Sequence, residues 1–245
     1  MTEAVWAVVP AAGIGSRFSS SEPKQYAKLA GKTLLEHALQ GLLDSEIFTS
    51  LTIGTAHDDE RYRKLSILSN PKLRVVNGGA SRAETVLKAL QSLRSTAQSS
   101  DWVMVHDAAR PLVSPKDIHK LYSLGVASAN AAILAKRATD TVKQSHHDHS
   151  LSKSAHNNRV ASTLDRETVW LAQTPQMARF GTLLDCLENL DEAGELAQVT
   201  DEASVMERFG HDVMLVESSR ENFKVTRPED LVMAEAIFAH HTKET

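Results

Sequence analysis

From residue 4 to about residue 125, apolar runs of strand length alternate with longer segments of helical periodicity. That alternation restricts the chain to an α/β architecture, a largely parallel sheet with helices on both faces. Residues 4–10 (AVWAVVP) predict a buried strand running straight into a glycine-bearing turn. Residues 33–43 place Leu34, Leu35, Ala38, Leu39 and Leu42 on one helical face. Residues 50–55, 72–76 and 101–106 predict further strands. Between the last two, residues 81–93 predict a helix with Ser81 and Glu84 as a capping box and Val86, Leu87, Leu90 and Leu93 as its buried stripe. Ser114-Pro115 opens another, with Ser as N-cap and Pro at the first helical position.

A strand at 131–135 leads into a different kind of segment. Residues 144–158 are polar, rich in Ser and His and short of apolar anchors. They predict an exposed excursion, a hairpin arm at about residues 137–165. Regular structure is expected to resume at Arg159, with helices at 180–190 and 201–209, the second closed by Gly210. A strand at 213–216 and a helix at 228–240, with Pro228 in its first turn, complete the series. With no internal repeat, the expected organisation is a single domain over residues 1–245.

The balance of 27 basic and 31 acidic side chains, a formal net charge of −4, supplies no global field to draw the chain to nucleic acid or anionic lipid. Any anion site must come from local clustering of cations. No stretch approaches the ~20 apolar residues that span a bilayer, and no cationic leader opens the sequence. One cysteine, Cys186, excludes an internal disulfide and fits a reducing compartment. Set among leucines, it reads as a small buried hydrophobe. The expectation is a soluble, cytoplasmic protein.

Chemistry concentrates in the turns after strands. The first reads Pro10-Ala11-Ala12-Gly13-Ile14-Gly15-Ser16-Arg17. Small residues there let backbone N–H groups approach a phosphate, and following cations neutralise it. A dinucleotide fingerprint would need a third glycine where Phe18 sits, and a P-loop ending at Gly31-Lys32-Thr33 would need one at Tyr26. The loop with Arg17 and then Lys24 suits a triphosphate bound by neither scheme. Alone, Gly13 and Gly15 fit an ordinary tight turn, and Arg17 and Lys24 fit solvated surface. Two later strand ends carry Gly78-Gly79-Ala80-Ser81-Arg82 and His106-Asp107-Ala108-Ala109-Arg110. In open α/β sheets ligands bind outside the carboxyl ends of strands, so Asp107 and Arg110 are well placed; a turn stabiliser is the lesser alternative for Asp107. His146, His147, His149 and His156 invite a zinc reading. Without cysteine, and among Ser and Asn, a solvated loop is favoured.

The set PAAGIGSR, PKQY, GGASR, VHDAARP, TLDR, QTPQ, TDEAS and KVTRPED, in that order from about residue 7 to 235, closely resembles the 2-C-methyl-D-erythritol 4-phosphate cytidylyltransferases. The resemblance implies a Rossmann-like nucleotidyltransferase fold with a protruding arm, a homodimer, Mg²⁺ dependence and a role in non-mevalonate isoprenoid synthesis. It implies that Ala11, Ala12, Gly13 and Gly15 meet CTP, with Arg17 and Lys24 as the transition-state cations. Gly79, Arg82 and Thr85 match the cytidine side, and Asp107, Ala108 and Arg110 the next loop. Arg166 and Lys224 match the groups that position the sugar-alcohol phosphate, and Thr174 lines the pocket. Thr141 matches the arm residue that reaches the neighbouring subunit's site. Asp107 is also the candidate Mg²⁺ ligand, with ribose contact as its alternative. The stretch 144–158 departs from the family by its length and its histidines.

Such a reaction needs no general base. A phosphomonoester has its second pKa near ~6, so the attacking oxygen is already ionised at neutral pH. The obstacle is two polyanions meeting, which positioned Arg, Lys and Mg²⁺ offset. Ribitol-5-phosphate cytidylyltransferases share this chemistry, but their first loop tends to read AGG and they usually lack VTRPED. A CTP-binding regulator without catalysis would not need Arg166 and Lys224.

Overall fold

The computed structural model describes residues 3–13, 23–128, 130–146 and 159–244. The first half runs β1 (Val5–Ala11), β2 (Lys28–Leu29), β3 (Lys32–Thr33), α1 (Leu34–Asp44), β4 (Ser50–Thr55), β5 (Leu73–Asn77), α2 (Arg82–Leu93), β6 (Trp102–Val105) and α3 (Pro115–Ser128). The second runs β7 (Ala131–Arg137), β8 (Lys143–Ser145), β9 (Val160–Thr163), β10 (Trp170–Arg179), α4 (Phe180–Glu192), α5 (Glu202–Arg208), β11 (Val213–Glu217) and α6 (Pro228–Glu244). Seven strands form the main sheet in the order β11-β7-β10-β6-β1-β4-β5. Only β10 is antiparallel to its neighbours, β6 and β7. The carboxyl ends of β1, β4, β5, β6, β7 and β11 therefore share one edge.

Alternation along β1 explains why both faces are covered. Val5, Ala7, Val9 and Ala11 join a core with Leu35, Leu39 and Leu42 of α1 and Ile118 and Leu121 of α3. Trp6 and Val8 join the opposite core, with Val86, Leu87 and Leu90 of α2 and Leu183 and Leu187 of α4. A strand apolar on both faces must be roofed twice. Helix α1 opens on a capping box that the sequence reading did not assign: Thr33 accepts from Glu36 N–H and Glu36 closes back onto Thr33 N–H at 2.7 Å. On α2, Ser81 accepts from Glu84 N–H at 3.1 Å, while the Glu84 carboxylate takes Ala80 N–H at 2.7 Å. Gly210 follows α5 with φ 77°, a backbone region where a Cβ is unfavourable. Cys186 is buried among the α4 side chains, as expected.

The ten-residue strand β10 is a structural finding without a counterpart in the sequence reading. Its sequence WLAQTPQMAR lacks alternation and carries Pro175 in the middle, which argues against a central strand. The structure accommodates the proline at a register shift between Ala172 and Gln176, where a ladder N–H is not required. The peptide Thr174–Pro175 is cis.

In the arm, strands β8 and β9 pair antiparallel, and both are exposed. His147, His149 and His156 lie outside the described residues, as do Gly15 and Arg17. Among the described residues no group of three His, Cys, Asp or Glu is placed to hold a metal. No described helix is long and apolar enough to cross a membrane.

Candidate active site

A cleft opens at the carboxyl edge of the sheet where β1, β5 and β6 end. Ala11, Ala12 and Gly13 form one wall, and Gly79 to Arg82 with Thr85 form the second. Asp107 and Ala108, directly after β6, line the floor; Lys24 and Lys224 come in from the sides.

Each wall is held from behind. Gln25, buried, donates from Nε2 to Ala11 O at 2.6 Å, and the Tyr26 hydroxyl donates to Asp59 at 2.7 Å. These two anchors fix the segment that carries Lys24. Burial first, then the hydrogen bond to Asp59, holds the Tyr26 phenol protonated far above its usual range. On the second wall, Thr85 Oγ1 accepts from Gly79 N–H at 3.0 Å and donates to Ser81 O at 2.8 Å. A Cβ on Gly78 would come within 2.8 Å of Ala12 Cβ and 2.9 Å of Thr85 Oγ1. Only glycine lets the two walls approach this closely.

Asp107 organises the charges. Its Oδ1 accepts from Arg82 Nε at 3.0 Å and its Oδ2 from Lys224 Nζ at 2.7 Å, with Arg110 Nε at 3.9 Å. Burial alone would raise its pKa; the Arg82 and Lys224 cations outweigh that and hold it well below the carboxylate range. Arg82 in turn donates through Nη1 and Nη2 to Glu202 at 2.8 and 2.9 Å.

Behind this floor lies a second polar layer. Thr174 Oγ1 accepts from Asp107 N–H at 3.0 Å and meets His106 Nδ1 at 3.0 Å. Arg110, buried, donates to Asn222 O at 2.8 Å and Ala172 O at 3.4 Å, and Asn222 Nδ2 donates to Thr174 O at 2.8 Å. His106 is fully buried, and that burial pushes its pKa down to about 4, so the ring is neutral at pH 7.

The sequence-derived residues that are described thus separate into three groups. Ala11, Ala12, Gly13, Lys24, Gly79, Arg82, Thr85, Asp107, Ala108 and Lys224 share the cleft. Arg110 and Thr174 stand behind its wall as buried braces, not on its surface. Thr141 and Arg166 are exposed at the arm; Arg166 pairs with Glu167 at 3.4 Å and donates to Thr139 O at 3.4 Å, within its own segment. Sequence reasoning did not assign Gln25 or Glu202. Both lie inside quoted motifs, PKQY and TDEAS, yet only side-chain direction reveals their roles.

A mainly parallel sheet with a cationic cleft at its carboxyl edge is the arrangement of an α/β nucleotidyltransferase, and solved cytidylyltransferases share it. The crystal structure of the Francisella tularensis 2-C-methyl-D-erythritol 4-phosphate cytidylyltransferase superimposes with a TM-score of 0.77, at 38% identity over 94% of this chain and 98% of that one. A family model described as 2-C-methyl-D-erythritol 4-phosphate cytidylyltransferase matches residues 5–240. Relatives of that name from Haemophilus ducreyi and Pseudomonas putida strain GB-1 are 40% identical over 240 residues and 43% identical over 229, covering 98% and 93% of this chain and the same share of each relative. The chain belongs to the 2-C-methyl-D-erythritol 4-phosphate cytidylyltransferase family.

Proposed function

We propose that the chain transfers CMP from CTP to 2-C-methyl-D-erythritol 4-phosphate and releases pyrophosphate. A phosphate oxygen of the sugar alcohol attacks the α-phosphorus; the new P–O bond forms as the bond to the bridging α,β oxygen breaks. Pyrophosphate leaves with that electron pair. The observation that carries this reading is the convergence of Lys24, Arg82 and Lys224 with the Ala11–Gly13 loop in one cleft.

No histidine or cysteine is among the described residues that line the cleft. That suits a nucleophile already ionised at neutral pH. We assign Lys24, together with Arg17, to the transferring and leaving phosphates. Lys224 is assigned to the incoming phosphate, where in-line positioning contributes most. Gly79, Arg82 and Thr85 face the cytidine side.

The reading includes Mg²⁺, bound with the triphosphate. Asp107 is the one carboxylate among the described cleft residues, and both its oxygens already carry cations. It suits a strut for Arg82 and Lys224 better than a metal ligand. The reading also includes a single cytoplasmic domain and a homodimer, in which Thr141 and Arg166 serve the neighbouring site. Their exposure on the arm, away from their own cleft, supports that part.

The test is pyrophosphate release with CTP and magnesium, comparing 2-C-methyl-D-erythritol 4-phosphate with ribitol 5-phosphate. Faster turnover of the ribitol ester, or tight CTP binding without pyrophosphate release, would reject the assignment.

A further inference from the structure

Glu202 does not line the cleft, yet it is 3% exposed and bonded to a residue that does. It is the first residue of α5, whose N-cap is Asp201. That helix end is pinned to β10, since Gln176 accepts from Ala203 N–H at 2.8 Å and donates to Asp201 at 2.9 Å. The Glu202 carboxylate is therefore a fixed point, and it grips both terminal nitrogens of Arg82.

A guanidinium forks most favourably onto a carboxylate through two parallel N–H bonds. With Nη1 and Nη2 held by Glu202, the guanidinium is fixed in an orientation that gives Asp107 one bond, from Nε to Oδ1. The second oxygen is left for Lys224 Nζ at 2.7 Å. Charges alternate along the line Glu202, Arg82, Asp107, Lys224. Without the first, Arg82 can turn and fork onto both oxygens of Asp107, displacing the lysine.

We infer that Glu202 is a positioning residue for the transfer: by fixing the orientation of Arg82 it leaves one oxygen of Asp107 to Lys224 and so sets where that ammonium stands. This rests on the transferase reading above. Glu202 touches neither substrate; it acts through Arg82 and Asp107.

The test is Glu202→Gln in the full-length protein, with Glu202→Asp as the variant that keeps the charge but loses reach. The expected result is a kcat at least ~10-fold lower, and a smaller loss for Glu202→Asp. In a Lys224→Met background, adding Glu202→Gln should cost nothing further, because the lysine it positions is gone. A merely structural glutamate would instead lower the melting temperature, and its kinetic effect would multiply with that of Lys224→Met. Unchanged kcat in both single variants, or simple multiplication, overturns the inference. If the wild-type protein itself fails to release pyrophosphate, the functional reading falls. The crystal structure of Glu202→Gln, or of Glu202→Asp should the first not fold, then decides alone. Arg82 turned onto both Asp107 oxygens with Lys224 displaced supports the inference; an unmoved pair refutes it.

Discussion

Asp107 and His106 are neighbours in sequence with opposite tasks. Asp107 turns into the cleft and carries two cations; His106 turns into the protein, neutral, between Thr174 and the Arg110 carbonyl. The histidine makes a pH prediction with a definite sign. Its folded pKa of about 4 lies below the ordinary 6.5, so from pH 6.5 down to 4 the unfolded chain takes up a proton that the native state refuses. Stability is then full above pH 6.5 and falls as pH drops through that window, by about 1.4 kcal/mol for each pKa unit. Asp107, with its depressed pKa, adds a further loss only at more acid pH, below its unfolded value near ~4. Urea denaturation across pH 4 to 7 should show the slope, and His106→Gln should flatten it. For catalysis, Lys24→Ala should slow pyrophosphate release by at least ~10²-fold while leaving the circular dichroism spectrum unchanged. Wild-type rates in that variant would remove Lys24 from the reaction.

At the level of elements, the cleft depends on how closely β4 and α2 approach. Gly54 of β4 faces Thr85 of α2, and a Cβ there would fall 2.4 Å from Thr85 Cγ2. Thr85 is the same residue whose hydroxyl ties Gly79 to Ser81. Gly54→Ala should therefore cost about 1–3 kcal/mol of stability and raise KM for CTP, read from chemical denaturation and steady-state kinetics. Helix α1 offers a contrast, since its cap lies outside the cleft. Thr33→Ala removes the bond from Glu36 N–H and should cost about 1 kcal/mol with turnover unchanged.

For the whole molecule, the arm raises the question of which cleft it serves. If Arg166 acts across a dimer, mixing Lys24→Ala and Arg166→Ala subunits should restore activity that neither has alone. Random pairing makes half the dimers mixed, each with one competent site, so recovery should reach roughly a quarter of the wild-type rate. No recovery, in a preparation where differently tagged subunits co-purify as mixed dimers, would place Arg166 at its own subunit's site or at none.

The sequence by itself determined what short-range forces control. Ser81, Ser114 and Pro228 mark helix starts because capping and proline geometry act within one turn, and β1 is legible because apolar residues fill both its faces. The order of the motifs was enough to point to the family. Only the tertiary structure decided which motif residues face the ligand. Arg110 and Thr174 stand behind the wall while Arg82 and Lys224 stand in front, and β10 enters the sheet despite Pro175. The deciding contacts join residues far apart in the chain: Glu202 is 120 positions from Arg82, and Lys224 is 117 from Asp107. A side chain's direction is set by the partner that satisfies its charge in a buried place, and no local pattern carries that partner's position.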